Sequence, residues 1–272
     1  MKVRFIFIMI FCCFVTSPYV AGVYADSLKE TTIHIADDGA EWPPYSYYQR
    51  VDGKKTNKII GFSVDVITEI FKKHGIKFTV ELLPWKRTQK NVEKGKTHQM
   101  LLSASYSEER AKKYLVSRSY YTLNHVVFYS AKTYPAGLFV KSVDDMKKRY
   151  KVCGLFGYSY ESLGFDSSEI DQKISSYGQL IKVLHNRPQR CEVFIEGYEI
   201  FVGFKAVGID HLADKDLKYT AIPSMAPKTF HMLISRNFKY AEELKRIIDE
   251  GITSLEESGR LNELMKKYNL EP

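Results

Sequence analysis

The chain has 272 residues, with 40 Lys and Arg against 32 Asp and Glu, a formal net charge of +8, 44% hydrophobic residues and four cysteines. This length suits one large or two medium domains, and the balance of apolar and charged residues indicates a folded core. No run of about 18 apolar residues occurs beyond the N-terminus, which excludes a polytopic membrane protein.

The first residues have the pattern of an export signal. Lys2 and Arg4 precede an apolar run at 5–15, which has the length of a signal-peptide core and is shorter than a membrane-spanning helix. We therefore predict a signal peptide over 1–25, a mature chain that begins at Asp26, and a periplasmic location.

Two cysteines remain in the predicted mature chain, and they would face an oxidising compartment. Cys153 and Cys191 each precede a short apolar run that is typical of a strand start. Neighbouring parallel strands could bring the two within bridging distance. Two separate buried thiols are an equal alternative, because the sequence does not define the separation of the Cα atoms.

The mature chain alternates strand and helix patterns. Strands are predicted at 31–36, 77–83, 99–103, 125–131, 152–156, 191–195 and 230–235. Helices are predicted at 61–74, 88–94, 142–148, 178–184, 240–257 and 259–268, with a further one capped by Ser107. This alternation predicts α/β architecture with parallel strands covered by helices.

Motifs of catalytic and metal chemistry are missing from the sequence. It has no Cys-x-x-Cys, His-Glu-x-x-His, glycine-rich phosphate loop or Gly-x-Ser-x-Gly, and its seven histidines are scattered. We therefore predict no catalytic residue, no metal and no cofactor. Each pair of adjacent lysines lies on a different predicted element. This spread indicates a solvated surface and not a continuous strip for binding nucleic acid.

Short motifs follow one another in a familiar order along almost the whole mature chain: WPPYS at 42–46, IGFSVDV at 60–66, SEERAKK at 107–113, GLFG at 154–157 and SGRL at 258–261. In these motifs the chain resembles the family-3 periplasmic solute-binding proteins, the polar amino-acid receptors of ABC transporters. The resemblance implies the type II periplasmic binding protein fold, in which two α/β lobes joined by two hinge crossings close on a ligand. Lobe 1 would comprise 26–122 and 229–272, lobe 2 would comprise 124–222, and the crossings would lie at 122–125 and 222–228.

The resemblance also implies residues that bind the head group of the ligand. Arg110 matches the family's carboxylate-binding arginine, and Ser103 and Ser105 match residues that help to hold the same group. In lobe 2, Ser159 and Tyr160 belong to a loop that matches the family's glycine–threonine loop. Tyr158 replaces a small residue in that loop, so the sequence does not define the shape of the loop.

Three more residues complete the implied site. Trp42 and Trp85 match two aromatic residues that sandwich the ligand side chain, with core packing as the alternative for both. Glu196 is the candidate for the ligand's α-amino group, but it is displaced by about one position from the family's acid. In a regular strand, a slip of one residue would turn its side chain to the opposite face.

The implied function is that of a monomeric receptor, not an enzyme, which captures a small polar amino acid and delivers it to a membrane ABC permease. A sensory receptor of the same fold is the first alternative. A periplasmic dehydratase-like enzyme is the second, and it would need a positioned acid or base, for which Glu196 and His125 are the candidates.

Overall fold

The computed structural model describes residues 28–166, 168–223 and 225–270. The predicted signal peptide and the predicted start of the mature chain at Asp26 lie outside these residues. Within these ranges, no helix has both the length and the apolar character needed to cross a membrane.

The described ranges contain two main sheets, one small hairpin and the helices that cover them. The strands are β1 Thr32–Asp38, β2 Tyr47–Val51, β3 Lys54–Ile60, β4 Lys77–Leu83, β5 Met100–Ser105, β6 Tyr114–Val116, β7 Tyr121–Leu123, β8 His125–Ser130, β9 Val152–Leu155, β10 Ile170–Ile174, β11 Val193–Gly197, β12 Leu217–Ala221 and β13 Lys228–Ser235. The α-helices are α1 Phe62–His74, α2 Trp85–Lys94, α3 Glu108–Lys113, α4 Val143–Arg149, α5 Tyr177–Asn186, α6 Tyr198–Gly203, α7 Ala241–Glu257 and α8 Arg260–Lys267.

The sheet of lobe 1 has the order β4-β1-β5-β13-β6, with β7 also paired to β13. The strands β4, β1 and β5 are parallel, and β13 runs antiparallel to β5. The helix α1 buries its apolar face and ends at Gly75, whose left-handed φ of 68° suits glycine. Its partner α7 approaches closely at Gly251, where an added Cβ would lie 2.7 Å from the side chain of Ile70.

The sheet of lobe 2 has the order β10-β9-β11-β8-β12. The strands β10, β9 and β11 are parallel, whereas β8 is antiparallel to both β11 and β12. Cys153 in β9 and Cys191, just before β11, form a disulfide with their Cα atoms 5.4 Å apart. The bridge therefore joins two neighbouring parallel segments at the start of their strands.

The chain passes between the two sheets twice. Asn124 separates β7, which belongs to the first sheet, from β8 in the second, and the chain returns between β12 and β13. The two lobes thus form a mixed α/β architecture of two sheets with covering helices. The assignment of 26–122 and 229–272 to one lobe and 124–222 to the other stays a prediction.

Several elements differ from the sequence-based expectation in ways that affect the site. The strand β1 continues to Asp38, beyond the predicted end at 36, and β5 continues to Ser105. The helix α2 already begins at Trp85. The hairpin of β2 and β3 was not predicted, because β3 is lysine-rich and mostly exposed, and so has no apolar alternation.

Candidate functional site

A cavity lies between the two lobes. All eight residues that the resemblance assigns to the ligand line it: Trp42, Trp85, Ser103, Ser105, Arg110, Ser159, Tyr160 and Glu196. The remaining lining residues are Asp37, Asp38, Ala104, His125, Tyr158, Leu163, Ile195 and Phe230. The cavity has a volume of about 60 Å³, and two wider recesses, of about 510 and 580 Å³, share lining residues with it.

The strand ends of both lobes meet at this cavity. In lobe 1, Asp38 ends β1 and Ser105 ends β5, two neighbouring parallel strands. In lobe 2, the loop that carries Ser159 follows β9, and Glu196 lies near the end of the parallel strand β11. Carboxyl ends of parallel strands share one edge of a sheet, so each lobe presents its polar edge to the cleft.

The lobes also touch each other around the cavity. The Nε2 of Gln89 in α2 donates a hydrogen bond of 3.3 Å to the carbonyl oxygen of Gly157 in lobe 2. Gly203, at the end of α6, lies so close to lobe 1 that an added Cβ would be 2.5 Å from the carbonyl oxygen of Pro43. The described conformation is therefore one with the lobes closed on the cavity.

Arg110 is a buried cation at the cavity wall, with 8% of its surface exposed. Ser107 caps its helix by accepting a hydrogen bond from the Arg110 backbone N–H. The Nη1 of Arg110 donates to the carbonyl oxygen and to the hydroxyl of Ser105, at 2.7 and 2.8 Å. Its guanidinium carbon lies 5.8 Å from the ring centre of Trp85. Burial lowers the pKa of Arg110 to about 10.

The guanidinium has donors to spare. Two of its five N–H groups are used on Ser105, so the Nη2 and Nε hydrogens remain for another acceptor. Across the described ranges, no carboxylate lies within ion-pair distance of it; Glu109 pairs with Lys113, and Glu108 accepts from Tyr106. Arg110 is therefore a buried fork donor open to an anionic group.

Two adjacent acids at the end of β1 also line the lobe 1 wall. The Asp37 carboxylate accepts a hydrogen bond of 2.7 Å from the hydroxyl of Ser46. Burial raises the pKa of Asp37 to about 7 and also raises the pKa of Asp38. These two residues were missed from the sequence, although acids directly after a buried apolar strand are a usable signal for a cleft.

Glu196 is the buried acid of lobe 2, with 4% of its surface exposed. Its carboxylate accepts hydrogen bonds of 2.8 Å from the hydroxyl of Tyr177 and from the backbone N–H of Gly197. Burial raises the pKa of Glu196 to about 7. In spite of the one-residue displacement noted in the sequence, this side chain lines the cavity.

Some buried polar atoms at the cavity have no hydrogen-bond partner within the described part of the chain. They include the Nε1 of Trp42 and the Nδ1 of His125. Burial lowers the pKa of His125 to about 4, so its ring is neutral at pH 7. Unpaired buried polar atoms are uncommon in folded proteins, and a bound molecule or water in the cavity would satisfy them. As for a metal, the described residues include no group of three or more His, Cys, Asp or Glu side chains able to hold one.

The family described as bacterial extracellular solute-binding proteins, family 3, matches residues 33–271 of the chain. The chain belongs to this family. The resemblance seen in the sequence motifs is thereby confirmed, and so is the two-lobed type II fold. No curated protein sequence matches the chain.

Solved structures of several amino-acid-binding proteins have the same fold. The amino acid ABC transporter substrate-binding protein AbpA of Streptococcus pneumoniae, bound to L-arginine, matches with a TM-score of 0.66 and 21% identity over 91% of this chain and 100% of its own. The arginine-, lysine-, histidine-binding protein ArtJ of Geobacillus stearothermophilus matches with a TM-score of 0.68 and 20% identity over 89% and 97%. The ancestral amino-acid-binding protein AncCDT-1, a precursor of cyclohexadienyl dehydratase, matches with a TM-score of 0.66 and 15% identity over 90% and 99%.

Proposed function

We propose that the protein is exported to the periplasm, captures a small polar amino acid in the cavity between its lobes and delivers it, as a monomer, to a membrane ABC permease. One observation carries the proposal: a buried guanidinium without a carboxylate partner among the described residues and a buried carboxyl group of the opposite lobe line one cavity. A zwitterion offers each of them the opposite charge. The amino-acid ligands of AbpA and ArtJ support the same ligand class.

The carboxylate of the ligand would bind at Arg110. The Nη2 and Nε hydrogens form a fork that matches the two oxygens of a carboxylate. The Ser105 hydroxyl accepts from Arg110, so its own hydrogen is free to donate to the same ligand group. Ser103 and Ser159 line the cavity from lobe 1 and lobe 2, and they would add hydroxyl donors from both sides.

The α-amino group of the ligand would bind at Glu196. A buried carboxyl group with a pKa of about 7 is only partly ionised at neutral pH in the empty cavity. An ammonium group beside it would favour the ionised form and remove the electrostatic cost of burial. Because the ligand would then contact both lobes, it would stabilise the closed state over the open one.

Thermal unfolding and calorimetry test the proposal. The exported protein, without residues 1–25, would be screened against the common amino acids, and a ligand should raise the midpoint of unfolding by an amount that grows with its concentration. Isothermal titration calorimetry would then give the affinity of each hit. The absence of a shift with every amino acid would refute the proposed function.

A dehydratase-like enzyme is a second candidate, which one specific observation favours. A carboxyl group with a pKa of about 7 that lines the same cavity as Arg110 is suited to general acid catalysis. AncCDT-1, which has the same fold, is a precursor of a dehydratase. Mass spectrometry of each bound ligand after incubation would detect a product, and Glu196→Gln should abolish its formation. A ligand that is recovered unchanged after incubation would support the receptor function.

A further inference from the structure

Tyr158 occupies part of the cavity from the side of lobe 2. It follows Gly157 in the loop after β9, and its hydroxyl donates a hydrogen bond of 2.6 Å to the Asp38 carboxylate of lobe 1. Its ring lies edge-on to the ring of Trp42, with the centroids 5.6 Å apart. A side chain of one lobe therefore fills the space between an acid and a tryptophan of the other.

Packing defines the position of this ring. Three clusters of buried apolar residues meet at the cleft: one contains Trp42, one contains Tyr160 and one contains Trp85. Tyr158 packs against all three. Burial keeps its pKa well above the ordinary value, so the phenol stays protonated and acts as the donor to Asp38.

The loop that carries Tyr158 is held by lobe 1 as well. Gly157 accepts a hydrogen bond from Gln89, and the aliphatic part of the Lys86 side chain lies over it, 3.0 Å from the position of an added Cβ. These contacts leave little freedom for the next residue to turn out of the cavity.

Both carboxylate oxygens of Asp38 already accept hydrogen bonds from the chain. One of its carboxylate oxygens accepts from the backbone N–H of Ala40 at 2.9 Å, and the other accepts from Tyr158. A buried carboxylate beside a tryptophan would otherwise attract a cationic side chain. In this cavity, the Tyr158 hydroxyl occupies that carboxylate oxygen, and the Tyr158 ring lies against the tryptophan.

We propose that Tyr158 determines the specificity of the site by filling its side-chain end, so that the ligand is an amino acid with a short, uncharged side chain, such as alanine or serine. This inference rests on the proposed capture of an amino acid. Arg110 and Glu196 remain for the head group, because Tyr158 makes no hydrogen bond to either of them in the described structure.

The test compares ligand affinities by isothermal titration calorimetry, with L-alanine, L-serine, L-lysine and L-arginine as probes. The wild-type protein should bind alanine or serine at least about 10-fold more tightly than lysine or arginine. Tyr158→Ser frees the Asp38 oxygen and the space beside Trp42. It should raise the affinity for lysine or arginine, relative to the affinity for alanine, by about 10- to 100-fold. This range corresponds to one hydrogen bond between charged groups.

Two further variants separate the ring from its hydroxyl and from general effects. Tyr158→Phe keeps the ring in place and should keep the wild-type order of ligands. Tyr134→Phe is a matched control, since the Tyr134 hydroxyl also donates a 2.6 Å hydrogen bond to a carboxylate, that of Glu192, but does not line the cavity. It should change none of the affinities. If Tyr158→Ser does not fold, Tyr158→Leu takes its place, because it keeps an apolar side chain among the three clusters.

Two outcomes would overturn the inference: a wild-type protein that binds lysine or arginine as tightly as alanine and serine, or a smaller side chain at 158 that leaves the ratio of affinities unchanged. Both leave amino-acid binding itself intact. The absence of binding to any amino acid in the wider screen instead refutes the proposed function, so the two failures are distinguishable.

Discussion

Arg110→Met should greatly weaken ligand binding and should change the stability of the empty protein much less. The free Nη2 and Nε hydrogens would make two charge-assisted hydrogen bonds to a ligand carboxylate, each contributing about 1.5–3 kcal/mol. Their combined loss, about 3–6 kcal/mol, corresponds to an increase of roughly 10²- to 10⁴-fold in Kd.

The stability of the ligand-free protein should change less than the affinity does. The pKa of Arg110 is lowered to about 10 because burial disfavours the charged form, and this depression corresponds to a cost of roughly 3 kcal/mol. Methionine removes that cost and keeps the packing, but it loses two charge-assisted hydrogen bonds to Ser105, each contributing about 1.5–3 kcal/mol. The melting temperature should therefore stay the same or fall, by no more than about 10 °C.

The assay pairs calorimetric titration of the best amino-acid ligand with thermal unfolding of the empty protein. Arg260→Met is the control, since Arg260 forms an exposed ion pair with Glu69 outside the cavity, and its loss should leave Kd unchanged. Arg110→Lys keeps the charge but not the planar fork, so its Kd should lie between those of the wild type and Arg110→Met. A Kd within about fivefold of wild type for Arg110→Met would refute the role given to the guanidinium.

Further predictions concern closure, pH and the disulfide. Gly203→Ala should weaken ligand binding at least tenfold, because its Cβ would meet a lobe 1 carbonyl and prevent closure. With ligand present, small-angle X-ray scattering should then still show the larger radius of gyration of an open protein. Gly178→Ala, with open space around the added Cβ, should have neither effect. The two cavity carboxyls with a pKa of about 7 bind protons in the folded state that the unfolded chain, with ordinary pKa values near 4, releases. The stability of the empty protein should therefore fall as pH rises from about 4 to about 7, whereas ligand affinity should rise between pH 5.5 and 7.5. Glu196→Gln should flatten the affinity curve and reduce the slope of the stability curve, to which Asp37 still contributes. Unchanged slopes would contradict the assignment. Replacing Cys153 and Cys191, which are 38 residues apart, by serine should lower the free energy of unfolding in denaturant titrations by about 4 kcal/mol, and a change below about 1 kcal/mol would exclude a contribution of the bridge.

Local chemistry made much of the fold predictable. The helix α1 has its apolar residues at helical spacing and a glycine where the left-handed conformation is required, so both its face and its end were readable. Ser107 could be identified as a cap because a hydroxyl followed by acids in the first turn satisfies the free N–H groups of a helix. The hairpin of β2 and β3 gave no such signal, since its exposed lysines do not alternate with apolar residues.

The eight candidate site residues were implied by the family resemblance of the sequence, and the tertiary structure brings all of them to one cavity. Their role in binding stays a proposal. What only the folded structure decided is the electrostatic state and occupancy of that cavity. The raised pKa values of Asp37 and Glu196 depend on burial by residues distant in sequence, and the contact between Tyr158 and Asp38 joins positions 120 residues apart. Local sequence determines which groups stand at the ends of strands; the distance between those ends, and the water that leaves when they meet, are properties of the whole fold.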